Sequence, residues 1–279
     1  MAESLAQLYP TAFVTGASAG LGRAFAEMLL EDGVRVWGTS RDPARLTDLA
    51  ARNPASFTPV VLDLARPAEA EAAFARAAKY AGGAFDLVIN NAGYGVFGGF
   101  DAMDCAVWQA QVDAILGTSG RLAHAALRGM RARNRGGLVN VASLAVDFPL
   151  PLMAGYNVAK AGLAALSESL MFETRGTGIT VIDFRPGDHR TGFNHAMHAA
   201  SPAPPESVAG RIWEKLEGHL HAGPPPARAA ADLRGALLRR RSGTVRSGTF
   251  FQARLAPLLA RVGPASWRRA VMAGYFGGS

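Results

Sequence analysis

Ala12-Phe13-Val14-Thr15-Gly16-Ala17-Ser18-Ala19-Gly20-Leu21-Gly22 decides how the chain is read. Ala12–Thr15 has the look of a short buried strand. Three glycines spaced GxxxGxG follow it. Apolar residues then recur at helical spacing at Leu21, Phe25, Met28 and Leu29 until Gly33 stops the run. A strand, a glycine turn and a helix N-terminus in this order form an anion site, because first-turn N–H groups point outward and glycine lets a phosphate approach the backbone. Thr15, Gly16, Ser18, Gly20, Leu21 and Gly22 are therefore candidate contacts to a pyrophosphate. The commoner dinucleotide turn is GxGxxG, and an ordinary glycine-rich βα turn is the bland alternative.

Strand signals alternate with helical ones from this stretch to about Phe184. The strand candidates are Ala12–Thr15, Val34–Thr39, Thr58–Leu62, Leu87–Asn90, Leu138–Val141 and Ile179–Phe184. Near-continuous apolar runs of this kind suit parallel strands covered on both faces. Helical windows at Leu21–Glu31, Pro43–Ala51, Pro67–Ala81, Cys105–Arg133 and Tyr156–Arg175 separate them. Right-handed crossovers then give an α/β fold, a Rossmann-like doubly wound parallel sheet with helices on both faces. Residues 1–194 are expected to form the dinucleotide-binding and catalytic part, and 195–279 a substrate loop and C-terminal extension of the same domain. Ser201–Pro205 and Gly223-Pro224-Pro225-Pro226 predict only short helices between 195 and 230. A last strand is expected near Thr244–Arg246, with helices around Ala256–Val262 and Ser266–Phe276.

Tyr156 and Lys160 stand four residues apart, on one face of a helix, with Ser143 thirteen residues before the tyrosine. An ammonium beside a phenol favours the phenolate, which brings a hydroxyl of pKa near 10 towards use as an acid/base at neutral pH. Ser143 follows the strand Leu138–Val141 and so sits where ligands bind in a parallel sheet.

Together these motifs resemble the short-chain dehydrogenase/reductase family, in its compact-chain branch, from about Thr11 to Thr191. Thr15 to Gly22 is similar to the family's cofactor loop. Asp63 and Leu64, after Val60-Val61-Leu62, are similar to its adenine-contacting acidic position. Asn90-Asn91-Ala92-Gly93 matches its strand-end motif, which implies cofactor contacts from Asn90, Ala92 and Gly93. Ser143, Tyr156 and Lys160 match its catalytic trio. Pro186, Gly187 and Thr191 match the loop over the nicotinamide, where His189 replaces the usual aliphatic residue. The family usually has an Asn in the helix after Gly93; the aligned residue here is Asp113. The resemblance implies that its backbone carbonyl holds a proton-relay water, with the carboxylate adding charge near Lys160. Thr244–Gly248 and the basic final helix are faintly similar to long-chain members that act on lipophilic alcohols and ketones.

The second strand speaks to cofactor choice. An acid at its end would accept from a ribose 2′-OH and favour NAD. Here it ends Gly38-Thr39-Ser40-Arg41, so Arg41 can pair with a 2′-phosphate and Ser40 can donate to it. NADP(H) is the expected cofactor, against the alternative of a solvent-exposed Arg opening a loop. Tyr94, Val96 and Phe97, then Leu144, Val146, Phe148, Leu150, Leu152 and Met153, and finally Phe193 are expected around the substrate. They suggest a hydrophobic carbonyl or alcohol, although some belong to plain core. The expected activity is an NADP-dependent oxidoreductase for a lipophilic ketone or secondary alcohol. The alternative is a catalytically impaired NADP-binding sensor or scaffold, suggested by Asp113 and His189. A dehydratase or epimerase is disfavoured by the glycine spacing.

The chain has 279 residues, 49% hydrophobic and 18% charged, which suits a globular enzyme and excludes a disordered chain. Its formal charge of +7 gathers late, at Arg239-Arg240-Arg241, Arg246, Arg254, Arg261 and Arg268-Arg269. A cationic face can attract nucleic acid, anionic lipid or phosphorylated substrates, or be a solvated Arg-rich surface. No aromatic-interleaved basic motif points to nucleic acid. Cys105 is the only cysteine, so an intrachain disulfide is excluded. No apolar run reaches the roughly 18 residues of a membrane span, no signal peptide is evident, and a cytoplasmic location is expected. His189, His195 and His198 lack partner ligands, so no metal is expected. The family resemblance implies a homodimer or homotetramer paired through the Cys105–Arg133 and Tyr156–Arg175 helices, and Ala159, Gly162 and Ala165 in the second permit close packing.

Overall fold

Strands β1 (Thr11–Val14), β2 (Arg35–Ser40), β3 (Phe57–Val61), β4 (Leu87–Asn90), β6 (Gly136–Val141), β7 (Ile179–Pro186) and β9 (Gly243–Ser247) pair in parallel. They form one sheet in the order β3-β2-β1-β4-β6-β7-β9. The computed structural model describes residues 4–193, 197–199, 206–258 and 264–276. All seven strand candidates are present with shifts of one or two residues at their ends. Interior strands are buried along their length because helices cover both faces. β3 alternates towards exposure and contains Pro59, which an edge strand tolerates because it needs fewer N–H donors.

The helices are α1 (Leu5–Leu8), α2 (Gly20–Glu31), α3 (Thr47–Arg52) and α4 (Pro67–Tyr80), then α5 (Cys105–Val112), α6 (Ser119–Arg133) and α7 (Ala154–Glu173). A π-helical turn, Asp113–Thr118, joins α5 to α6. One core lies between the sheet and α2 with the later helix Pro226–Arg239, where Phe25 meets Phe184 edge-on at 5.6 Å. The other packs Phe13, Trp37, Phe74 and Phe85 under α4 and α6. Aromatic pairs in these offset and edge geometries add about 1 kcal/mol each beyond burial.

One expectation is overturned, two short strands are new, and the final helix lies where it was expected. The segment thought able to hold only short helices carries α8 (Val208–Ala222), of 15 residues, and α9 (Pro226–Arg239), of 14. The proline run lies between them and puts Pro226 in the first turn of α9, where its missing N–H costs nothing. Two three-residue strands, β5 (Gly95–Phe97) and β8 (Met197–Ala199), pair in parallel outside the main sheet and are too short to announce themselves in sequence. Gly162 serves packing within the chain: a Cβ there would lie 2.6 Å from Leu116 of the π-helical turn. Ala159 is buried and Ala165 exposed on the same helix. Beyond β9 the chain makes a second π-helical turn, Phe251–Leu255, and the helix α10 (Ala265–Phe276). The expected contributions of His195 and Ser201–Pro205 lie outside the described residues.

Candidate active site

The strand order reverses between β1 and β4, so the crevice at their C-terminal ends is the natural ligand site of this sheet. The glycine turn fills it. Gly16 and Gly20 have φ of 71° and 56°, the left-handed region that glycine enters without strain. A Cβ on Gly22 would overlap the carbonyl of Gly16 and the side chain of Asn91, so the turn closes only with glycine there. Ala19 precedes α2 and cannot cap it, leaving the first-turn N–H groups without a side-chain acceptor. An anion supplies what the cap does not, and the residues therefore fit the pyrophosphate of a dinucleotide.

Three expected cofactor contacts lie off the cavity wall in this structure. The Thr15 hydroxyl accepts from Asn91 N at 2.8 Å and Ala92 N at 2.9 Å, tying β1 to the strand-end motif. Asn90 donates to Ser119 O at 3.1 Å and Asn140 Oδ1 at 3.0 Å, stitching β4 to α6 and β6. Gly22 shapes the turn from behind. None of the three lines the cavity, which has a volume of about 960 Å³. Gly16, Ser18, Gly20, Leu21, Ala92 and Gly93 do line it, as do Pro186, Gly187 and Thr191.

Ser143, Tyr156 and Lys160 meet on the cavity wall, each less than a tenth exposed. Ser143 closes β6 and Tyr156 and Lys160 share one face of α7. The Ser143 hydroxyl hydrogen-bonds Tyr156 and also accepts from Ala145 N at 3.1 Å. Lys160 Nζ donates to Val141 O at 2.6 Å and lies 5.7 Å from the Tyr156 ring centre. Burial pushes the phenol up to about 12; the bond from Ser143 opposes this and the nearby Asp188 charge adds to it. Burial also brings Lys160 down to about 8. Burial is thus the largest influence on the phenol in this structure, and it acts against the acidification expected from Lys160. Tyr156 holds its proton at neutral pH.

Asp113 does not belong to this group. It is exposed, its carboxylate accepts from Gln109 at 2.9 Å, and it lines no part of the cavity. Ile115, two residues on and so on the opposite helix face, is fully buried beside Gly93. No Asp113 carboxylate charge reaches Lys160, and the helix presents an aliphatic side chain where an Asn was looked for.

The loop after β7 is pinned from outside. His189 is buried; Nδ1 faces the Gly187 carbonyl at 3.1 Å and Nε2 faces Ser247 Oγ at 3.1 Å. The carbonyl can only accept, so Nδ1 carries the proton, and a neutral ring leaves Nε2 to accept from Ser247. Ser247 can instead donate to Asp232 at 2.8 Å, so its hydroxyl is shared between a ring and a carboxylate. Burial, the largest influence, lowers the His189 pKa. His189 thus acts as a latch for the loop while still lining the cavity. Asp147, after Ser143, is held by Arg185 at 2.8 Å and Arg246 at 3.0 Å, which fixes that loop to β7 and β9.

At the far end the cavity reaches Ser40, Arg41, Asp63 and Leu64, all expected, together with Arg45, which was not. Arg45 lies in the 3₁₀ segment Pro43–Leu46, four residues after Arg41; that spacing was the available signal. On the substrate side Tyr94, Val96, Leu144, Phe148, Leu150, Met153 and Phe193 line the cavity. Phe97, Val146 and Leu152 do not: Phe97 is core, stacked edge-on to Trp213 at 5.1 Å. Leu152 bears a φ of 60°, a costly conformation for a branched side chain, at the turn that launches α7. Leu216, Leu220, Met272 and Phe276 complete the apolar wall from segments whose sequence announced no site.

A family model described as short chain dehydrogenase matches residues 10–201. An uncharacterized oxidoreductase of Myxococcus xanthus is 37% identical over 182 residues, covering 64% of this chain and 72% of that protein. The 3-oxoacyl-(acyl-carrier-protein) reductase FabG of Vibrio cholerae is 30% identical over 187 residues, covering 67% of this chain and 76% of the relative. Among solved structures, a short-chain dehydrogenase from Streptomyces avermitilis superposes with a TM-score of 0.79 at 28% identity, over 94% of this chain and 96% of that one.

Proposed function

The chain belongs to the short-chain dehydrogenase family, and from that premise we propose that it is an NADP(H)-dependent oxidoreductase for a lipophilic ketone or secondary alcohol. The observation that carries this reading is the buried Ser143–Tyr156–Lys160 group opening onto one cavity with apolar walls and a glycine-lined anion turn. The bound nicotinamide supplies or takes the hydride. In reduction, Tyr156 gives its proton to the carbonyl oxygen, which becomes the alcohol hydroxyl. Ser143 hydrogen-bonds the same oxygen and orients it. Lys160 sits where it can hold a ribose hydroxyl and restore the proton.

Preference for NADP rests on Arg41 and Arg45, two guanidinium groups at the adenosine end with Ser40 beside them. Lipophilic selectivity rests on the walls from Val96, Leu144, Phe148 and Met153 on one side and Leu216, Leu220, Met272 and Phe276 on the other. Of the two residues that suggested a non-catalytic sensor, Asp113 faces solvent and His189 serves as a loop latch. The test is NADPH consumption across aromatic, polyketide-like, steroid and fatty ketones, with Tyr156→Phe as control. Turnover should fall by ~10² to 10⁴ in the variant while cofactor affinity stays within a few-fold. Retention of more than roughly a tenth of the turnover would assign the proton to another group.

A further inference from the structure

The loop after β7 is held, residue by residue, by the C-terminal part of the chain. Gly187 N–H donates to Ser247 O at 2.7 Å, the His189 ring meets Ser247 Oγ at 3.1 Å, and Arg190 N–H donates to Pro224 O at 2.9 Å. Asp188, half-buried, completes the set: its carboxylate accepts from Gln252 Nε2 at 2.6 Å. Gln252 is fixed in turn by Thr249, whose hydroxyl accepts from Gln252 N at 3.3 Å and whose N–H donates to Gln252 Oε1 at 3.4 Å. Asp188 and Gln252 both line the cavity. A Cβ on Gly187 would lie 2.9 Å from Leu144 and 3.0 Å from Gln252 Oε1, so the pair stands at the Ser143 end of that cavity. Among the described residues the other carboxylates on the cavity wall are Asp42 and Asp63, at the adenosine end. A neutral amide aims the Asp188 carboxylate without cancelling its charge. That charge acts on the Tyr156 phenol and on the His189 ring.

We propose that Asp188, aimed by Gln252, is a specificity-determining residue for the redox state of the cofactor, its carboxylate favouring the cationic oxidised nicotinamide over the neutral reduced ring. The inference rests on the function proposed above. Hydride and proton go to the two atoms of one carbonyl bond, so a nicotinamide that works with Tyr156 must share the catalytic end of the cavity with Asp188. The oxidised ring carries a positive charge that the reduced ring lacks, and a fixed carboxylate nearby stabilises only the charged form. Both forms carry the same phosphates, so Arg41, Arg45 and the glycine turn contribute equally to each. A ligand shifts between two states only through such a differential contact.

The experiment is titration of the full chain with NADPH, followed by its fluorescence, and with NADP+ by calorimetry. Asp188→Asn keeps the shape and can still accept from Gln252. It should weaken NADP+ about fivefold, the effect of one partly screened charge pair, and leave NADPH within about twofold. Asp188→Glu should retain the preference, and Gln252→Met should lower it by less than Asp188→Asn does, since the carboxylate keeps its charge and loses its aim. The pH profile of alcohol oxidation gives a second readout. Tyr156 faces Ser143, Lys160, Phe193 and Asp188. Oxidation needs the phenolate, which the Asp188 charge opposes, so Asp188→Asn should move the rising limb of the profile to lower pH. A loop that has merely loosened would not move it. Equal weakening of both cofactors by Asp188→Asn overturns the proposal, as does an unchanged ratio, a limb that stays in place, or a loss in Asp188→Glu as large as in Asp188→Asn. Binding needs no turnover. A protein with the charge-dependent preference that reduces no ketone therefore overturns the oxidoreductase reading instead, and one that reduces ketones with an unchanged ratio in Asp188→Asn overturns this inference alone.

Discussion

Removing Arg41 and Arg45 tests the adenosine end of the site most directly. Arg41 and Arg45 both line the cavity, four residues apart in sequence, and both are exposed, so solvent screens whatever they bind. A charge-assisted hydrogen bond contributes roughly 1.5–3 kcal/mol. Exposure argues for the lower end, about 1.5 kcal/mol or tenfold per arginine. Arg41→Ala should therefore weaken NADPH about tenfold and leave NADH nearly unchanged. The double variant should lose somewhat less than the 100-fold product, because two groups sharing one phosphate do not act independently. Ser40→Asp should reverse the preference: a carboxylate repels the 2′-phosphate and accepts from a free 2′-OH. Fluorescence titration of both cofactors against wild type and these variants reads every term. If wild type prefers NADH, or Arg41→Ala weakens both cofactors equally, the arginines are surface residues and the assignment of NADP is wrong.

Further outcomes follow from other positions. Asp113→Asn should leave turnover within about twofold, as for a surface substitution of ±0.5 kcal/mol; a severe loss in a folded protein would mean that the carboxylate acts after all. Gly22→Ala should destabilise by about 2 kcal/mol, because the new methyl meets the fixed Gly16 carbonyl rather than a side chain that can move. Urea unfolding measures this, and unchanged stability would refute the tight turn. His189 is held below the usual histidine pKa by burial. Its contribution to stability is therefore fully present above about pH 6.5 and is lost as pH falls through the depressed folded value. Asp188, Asp232 and Arg228 face it and modulate this dependence. His189→Gln should flatten the fall in Tm between neutral and mildly acidic pH; an unchanged slope would place the titration elsewhere.

The features legible in the order of amino acids are those that local chemistry encodes. The alternation of apolar runs with helical spacing specified the parallel sheet, and the glycine turn after β1 located the anion site, because only glycine serves at Gly16, Gly20 and Gly22. Ser143, Tyr156 and Lys160 were legible because one spacing puts two of them on a helix face and a strand end delivers the third. The tertiary structure decided what depends on direction and on distant partners. Asp113 and Ile115 differ by two positions, yet packing alone shows which faces the site. The Tyr156 phenol was expected to be acidified by Lys160, but burial is the larger influence and raises it. Thr15 and Asn90, read as cofactor contacts, spend their hydrogen bonds joining strands and helices. The apolar wall from α8 and the final helix comes from residues far along the chain. No local pattern in those residues encodes where the fold will bring them, since that is decided by how the segments close over the sheet.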